Sequence, residues 1–181
     1  MYSEQQSAFR QFPAGWFASG SSPKDYEVRL DRSEHHSGKA SGAITSVSET
    51  PTGFGTLMQV FKADNYRGKR LRMTGYAKTK DVESWAGLWM RVDGPGGTAL
   101  AFDNMQDRPL TGSLGWEEYE IVLDVPETGT NISFGVLLAG KGRVWVDDFA
   151  FEIVGKDTPS TDLRGKMREM PLEPANLSFE D

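Results

Sequence analysis

Residues 86–103 read Ala86-Gly87-Leu88-Trp89-Met90-Arg91-Val92, Asp93-Gly94-Pro95-Gly96-Gly97, Thr98, Ala99-Leu100-Ala101-Phe102-Asp103, two apolar runs around a stretch of turn chemistry. Side chains of a strand alternate between faces, so Leu88, Met90 and Val92 share one side of the first run and Gly87, Trp89 and Arg91 the other. Gly94, Gly96 and Gly97 supply the positive φ angles that a hairpin loop demands, and Pro95 fixes its own φ. The stretch therefore predicts two antiparallel strands with one face for the core and one for something else.

The same period of two continues in both directions. Runs at 26–30, 40–48, 56–61, 70–79, 118–125, 131–138 and 143–154 join 86–92 and 99–103 as candidate strands. Turn segments such as Thr52-Gly53-Phe54-Gly55 and Gly140-Lys141-Gly142 separate them. No apolar stripe of helical period precedes Asp157. Nine strands at this spacing predict an all-β fold, a jelly-roll β-sandwich of two antiparallel sheets. The jelly-roll domain takes residues 1–155. Residues 156–181 form a linker and C-terminal tail: Thr158-Pro159-Ser160-Thr161 reads as linker, 162–170 as polar with brief helical character, and Pro171 and Pro174 break any helix. Leu177 and Phe179 stand at strand spacing, so the tail offers a docked strand, on its own sheet or exchanged with a second copy in a homodimer.

Composition sets the bounds. A chain of 181 residues with 38% hydrophobic residues buries one core. With no cysteine it has no disulfide, no thiolate metal site and no thiol nucleophile. A net charge of −6 opposes the basic footprint of nucleic-acid binding, so no nucleic-acid partner is expected. No apolar run has the length of a membrane span, and the opening Met1-Tyr2-Ser3-Glu4 stretch lacks the basic head and apolar stretch of a signal peptide. The expectation is a cytoplasmic protein without a membrane partner.

On the polar side of 86–92, Trp89 supplies a flat platform and Arg91 a planar donor fork. Asp103 is expected to pair with Arg91 across the hairpin, Asn104 to add a neutral contact and Met105 a flexible wall. Gln59 joins them by parity as a lone polar group in an apolar strand, and Tyr76 stands on the polar face of 70–79. The competing reading of Asp103-Asn104 is an Asx-type turn. Under an alternative in which the cleft is enzymatic, Asp103 or His35 is the general acid or base, and Asp103 with Asp107 suggests glycoside hydrolysis. Whether the chain is an enzyme stays open. His35 and His36 are adjacent and diverge, which argues against zinc, and there is no Gly-x-Ser-x-Gly elbow or phosphate loop.

Gly15-Trp16-Phe17, Tyr26-Glu27-Val28, His36-Ser37-Gly38-Lys39-Ala40-Ser41, Gly115-Trp116-Glu117-Glu118-Tyr119 and Val144-Trp145-Val146-Asp147-Asp148-Phe149 together resemble the galactose-binding-like jelly rolls, especially modules related to carbohydrate-binding families four and nine. Gly68-Lys69-Arg70, the Leu88 to Gly94 run and Phe102-Asp103-Asn104-Met105 further resemble small bacterial proteins labelled as arabinose-regulator-type transcription factors, although no helix-turn-helix pattern occurs in the chain. The resemblance implies a non-catalytic module that binds a small, carbohydrate-like ligand in a concave cleft, with no cofactor required. It also implies a structural calcium on the Lys39 carbonyl, Asp148 and Glu180, all oxygen donors suited to a hard cation. Those relatives open with an Asn-x-x-Phe-Glu strand, which here sits at the far end as Asn176-Leu177-Ser178-Phe179-Glu180. Either that is coincidence or the tail fills the first strand's place.

Overall fold

A computed structural model of the chain describes residues 12–168, 172–175 and 177. Among them are eleven strands: β1 (Phe17–Gly20), β2 (Tyr26–Asp31), β3 (Ser41–Ser46), β4 (Phe54–Lys62), β5 (Arg70–Lys80), β6 (Val82–Asp93), β7 (Ala99–Asp103), β8 (Leu110–Gly112), β9 (Glu117–Asp124), β10 (Asn131–Ala139) and β11 (Arg143–Val154). One helix, α1 (Leu163–Arg168), follows. The strands build two antiparallel sheets, β1-β4-β10-β6-β7 with β8 also on β6, and β2-β3-β11-β5-β9. This is the jelly-roll sandwich that the alternation predicts.

All nine expected strands form, and the two additional ones, β1 and β8, are four and three residues long. Elements that short show no period. The core lies where the two inner faces meet. Leu88, Met90 and Val92 of β6, with Ile132, Phe134, Val136 and Leu138 of β10, face Leu71 and Met73 of β5 and Ile121 and Leu123 of β9, all buried. Phe134 sits at the centre of an edge-to-face aromatic group with Trp16, Phe61, Phe149 and Phe151, at centroid distances of 4.9 to 5.8 Å.

The last strand changes face half way. Its register against β5 slips between Asp147 and Ala150, and Asp148 takes a left-handed backbone with φ 51°. Before this bulge Val144 and Val146 point inward; after it Phe149 and Phe151 do. One extra residue therefore keeps both halves of a long strand in the core.

The segment after β11, which reads as a linker, is tied to the sandwich. Arg70 Nη1 donates to the carbonyls of Lys156 and Thr158, Thr161 exchanges hydrogen bonds with Val122 of β9, and Asp162 Oδ1 accepts from the Phe102 amide of β7. These bonds engage Val122 on the outer edge of β9 and Phe102 on that of β7, so the segment covers part of two edges that could otherwise pair with another chain. The expected final strand and the homodimer it implies fall largely on Asn176 and residues 178–181, outside the described residues. No helix among the described residues is long and apolar enough to cross a membrane.

Candidate functional site

The outer face of the β6 sheet carries a groove of about 790 Å³. Its floor comes from one parity class on three neighbouring strands: Thr56 and Met58 of β4, Leu137 of β10, and Trp85 and Trp89 of β6. Phe102 of β7 stands on one side and Ser19 and Gly20 at the end of β1, with Ser21, on the other. Residue pairs explain how a large indole fits flat on this floor. Trp89 is opposite Gly135, which is opposite Met58. With no side chain on β10 at that point, the Trp89 ring reaches across to β4, where its Nε1 donates to Thr56 Oγ1 at 2.9 Å. Thr56 Oγ1 in turn donates a hydrogen bond to the Val136 carbonyl at 2.7 Å. Trp89 is 9% exposed, and its edge and ring orientation are fixed before any ligand arrives.

Trp85 lies four residues earlier on the same face, ~13 Å along the strand. Arg91 stands at the other end. Its Nη2 donates to Asp93 Oδ2 at 3.1 Å, and its Nε lies 2.9 Å from Oδ1 with the N–H off the acceptor direction, an ion pair without a second hydrogen bond. The Asp93 side chain is 5% exposed and that of Arg91 is 46%. Asn131, directly opposite Asp93, donates to the same Oδ2 at 3.2 Å. The guanidinium is thereby held at the groove end with its remaining donors unspent.

Three of the residues expected in the cleft are brought together here: Trp89, Arg91 and Asn104. Four are not. Asp103 pairs with Met90, and it is Phe102 that lies beside Arg91, because the hairpin register is one step from the one assumed. Asp103 therefore points into the core at 0% exposure, where Arg108 grips both its oxygens at 3.2 and 2.7 Å and the Met105 amide donates to Oδ1. Burial weighs against the Arg108 charge, and the bonds and charges of Asp103 and then Asp107 together more than offset it, so the guanidinium pKa is raised. The expected Arg91–Asp103 pair does not exist. A carboxylate sealed in this way does not serve as general acid or base.

Met105 is no groove wall either. It is 1% exposed, with φ 60°, and its sulfur accepts the Leu88 amide at 3.3 Å where neither β7 nor β8 reaches β6. Gly87 serves this loop: a Cβ there would lie 3.0 Å from Met105 Cβ and 3.1 Å from the Asn104 carbonyl. Gln59 shares the inner parity of Leu57 and Phe61 and packs beneath Gly15, whose φ is +92°. Tyr76 belongs to the opposite sheet, where its ring stacks on His36 at 3.7 Å. His35, from the β2–β3 loop, does not line the groove.

The Asx reading of residues 103–106 is the observed one, with Asn104 Oδ1 accepting the Gln106 amide as Asp103 accepts that of Met105. Of the calcium ligands that the resemblance implies, Glu180 lies outside the described residues. Asp148 gives both oxygens to the Ser37 hydroxyl and one to His36 Nδ1 at 2.7 Å, bonds that lower its pKa, His36 first and Ser37 second. No cluster of three His, Asp or Glu side chains that would hold a metal occurs among the described residues. Both Asp148 oxygens are already engaged within the protein.

Trp85, Phe102, Met58, Thr56 and Leu137 were missed by the sequence reading. Parity with Trp89 finds Trp85, but only once β6 is known to begin at Val82; Glu83 and Ser84 interrupt the apolar run there.

The fold is a β-sandwich of the kind found in carbohydrate-binding modules. The xylan-binding CBM22-1 domain of Paenibacillus barcinonensis Xyn10C superposes with a TM-score of 0.56 at 14% identity, over 77% of this chain and 86% of that one. TmCBM61, solved with beta-1,4-galactotriose, superposes with a TM-score of 0.52 at 20% identity, over 78% of this chain and 90% of its own. No family model matches the chain. In sequence it is similar to the uncharacterized HTH-type transcriptional regulator YbfP of Bacillus subtilis, 49% identical over 179 residues. The match takes in 98% of this chain but spans 60% of the length of that relative.

Proposed function

We propose that the chain is a non-catalytic binding module for a small carbohydrate-like ligand, and that the groove over Trp85, Trp89 and Arg91 is where the ligand lies. The observation that carries this reading is the preset floor. An indole locked flat by Thr56, a second indole on the same face and one held guanidinium match a sugar ring, which has an apolar C–H face and a rim of hydroxyls. The carbohydrate-binding modules that share the fold support the ligand class by analogy of fold.

The relative's name favours a second reading, in which the same groove is the sensing part of a longer DNA-binding regulator. The two readings agree on the groove and differ in what its occupancy controls. Among the described residues the only α-helix is the six-residue α1, so on this reading a DNA-reading helix would lie outside the described residues.

The test is oligosaccharide binding to the full chain by glycan array and then calorimetry. The wild type should bind at least one neutral oligosaccharide, and Trp85→Ala should weaken that binding at least tenfold. An array without a hit, or a hit indifferent to Trp85, removes the reading.

A further inference from the structure

The pairing of Arg91 with Asp93 says which carbohydrates the groove would take. A guanidinium has two donor edges, one made by Nε with Nη2 and one by both Nη atoms. Asp93 lies along the first, with Nη2 donating to Oδ2 at 3.1 Å and Nε 2.9 Å from Oδ1 as an ion pair without a hydrogen bond. The second, end-on edge stays available on a side chain that is 46% exposed and lines the groove. Asp93 itself is buried, is opposite Asn131 and shares that residue's amide donor. Its main-chain carbonyl takes the Thr130 amide and hydroxyl, at 2.7 and 3.0 Å. The anion is thus built into the sheet, and Arg91 is both aimed and neutralised by it.

Resting on the carbohydrate reading above, the geometry points to Arg91 and Asp93 as a specificity device that selects neutral sugars carrying two adjacent hydroxyl oxygens and rejects uronic acids. The end-on edge offers two parallel N–H groups to neighbouring acceptors, with no rotamer left to freeze on binding. A ligand carboxylate at the same edge would meet a guanidinium whose charge is already balanced, and would lie a few ångströms behind a second, fixed carboxylate. Like charges at that range in a partly dry groove disfavour each other, so the rejection comes from Asp93. Asp93 is a positioning residue, since it acts through Arg91.

The experiment is calorimetric titration of the full chain with xylotriose, cellotriose, beta-1,4-galactotriose and trigalacturonate, on the wild type, Asp93→Asn and Arg91→Lys. The wild type should bind its best neutral trisaccharide at least tenfold more tightly than trigalacturonate. Asp93→Asn frees the Arg91 charge and should reduce that ratio at least tenfold, chiefly by admitting trigalacturonate. Arg91→Lys keeps a cation against Asp93 but lacks the fork, so it should lose at least tenfold in neutral affinity. It also tests the device independently if the buried Asp93→Asn change unfolds the chain. Neutral binding with an unchanged ratio in Asp93→Asn, or undiminished in Arg91→Lys, overturns the inference and leaves the groove reading standing. So does a wild type that prefers trigalacturonate. If none of the four sugars binds, both fall.

Discussion

The two outer faces of this sandwich begin with the same ingredients and end in different states. On the β5–β11 sheet, Trp145 is 5% exposed, its Nε1 bonds Asp31 at 2.9 Å, and Lys78 and Arg143 lie over its ring at 5.7 and 5.4 Å. Trp116 is likewise bonded to Glu34, which Lys78 pairs at 3.0 Å. Cations and carboxylates close over these indoles. On the β6 sheet, Trp89 is just as rigid, but it is bonded from within the floor, and the side chains around it are Met58, Leu137 and Phe102. Both faces carry tryptophans, but the groove over Trp85 and Trp89 is about 790 Å³ with apolar walls, whereas Trp145 lines a smaller one of about 550 Å³ walled by Glu34, Lys78, Lys80 and Arg143. A tryptophan on a strand therefore does not mark a binding site until its cover is known.

The strongest way to break this contrast is to ask whether the charges under the groove sheet belong to binding or to folding. Asp103→Ala takes from half-buried Arg108 its buried partner, leaving it Asp107 and the Glu120 carbonyl, and removes the acceptor of the Met105 turn, so it should cost about 3 kcal/mol in a denaturant titration. A loss within ~0.5 kcal/mol, the usual surface range, would return Asp103 to the groove. Gly87→Ala sharpens the same point from the neighbouring strand. Its methyl would press on the Asn104 carbonyl and the Met105 side chain, an overpacking of about 2 kcal/mol. If the variant is instead as stable as the parent and weaker only in sugar binding, the space over Gly87 belongs to the ligand.

The contrast then turns on Trp85, the half-buried member of the pair. Trp85→Ala should weaken oligosaccharide binding at least tenfold, about 1.4 kcal/mol, while its denaturation midpoint moves little. Trp145→Ala should do the reverse: it leaves Asp31 without a buried donor and opens a cavity, yet touches no groove residue. Equal binding losses in the two variants would erase the distinction between the faces.

What could be read in advance follows the same division. Strand existence and inner parity are written in residues such as Leu88, Met90 and Val92, because burial imposes the period directly. Register is not written there. The β6–β7 pairing contains a slip between Val92 and Asp93 that moves Asp103 from the groove to the core, and nothing in Asp103-Asn104 itself announces it. Gln59 failed differently: parity placed it correctly with Leu57 and Phe61, but that face is the inner one. Arg91 was found and its partner was not, because Asp93 lies two residues along the same strand, where a reading of cross-strand pairs does not look.

The smallest effect expected separates the faces by acid. Asp31 accepts bonds from Ser33 and Trp145, which hold its carboxyl well below the usual range, and the Arg70 bond, then Lys156, brings Asp124 down to about 2 against desolvation. Both lie on or beside the β5–β11 sheet. A carboxylate whose folded pKa is depressed stabilises the fold above its unfolded value, and that contribution fades as pH falls through the folded value. The chain should therefore keep constant stability from neutral pH to about 5 and lose it progressively from about 4 to 2. The Asp124 side chain is 45% exposed, so solvent screening limits its share to well under ~1 kcal/mol. Asp124→Asn should flatten the decline between about 4 and 2 slightly, and Trp85→Ala should leave its shape unchanged. An acid profile altered by Trp85→Ala and not by Asp124→Asn would put the titrating charges on the wrong face for this account. The balanced Arg91–Asp93 pair would then be the first group to reconsider.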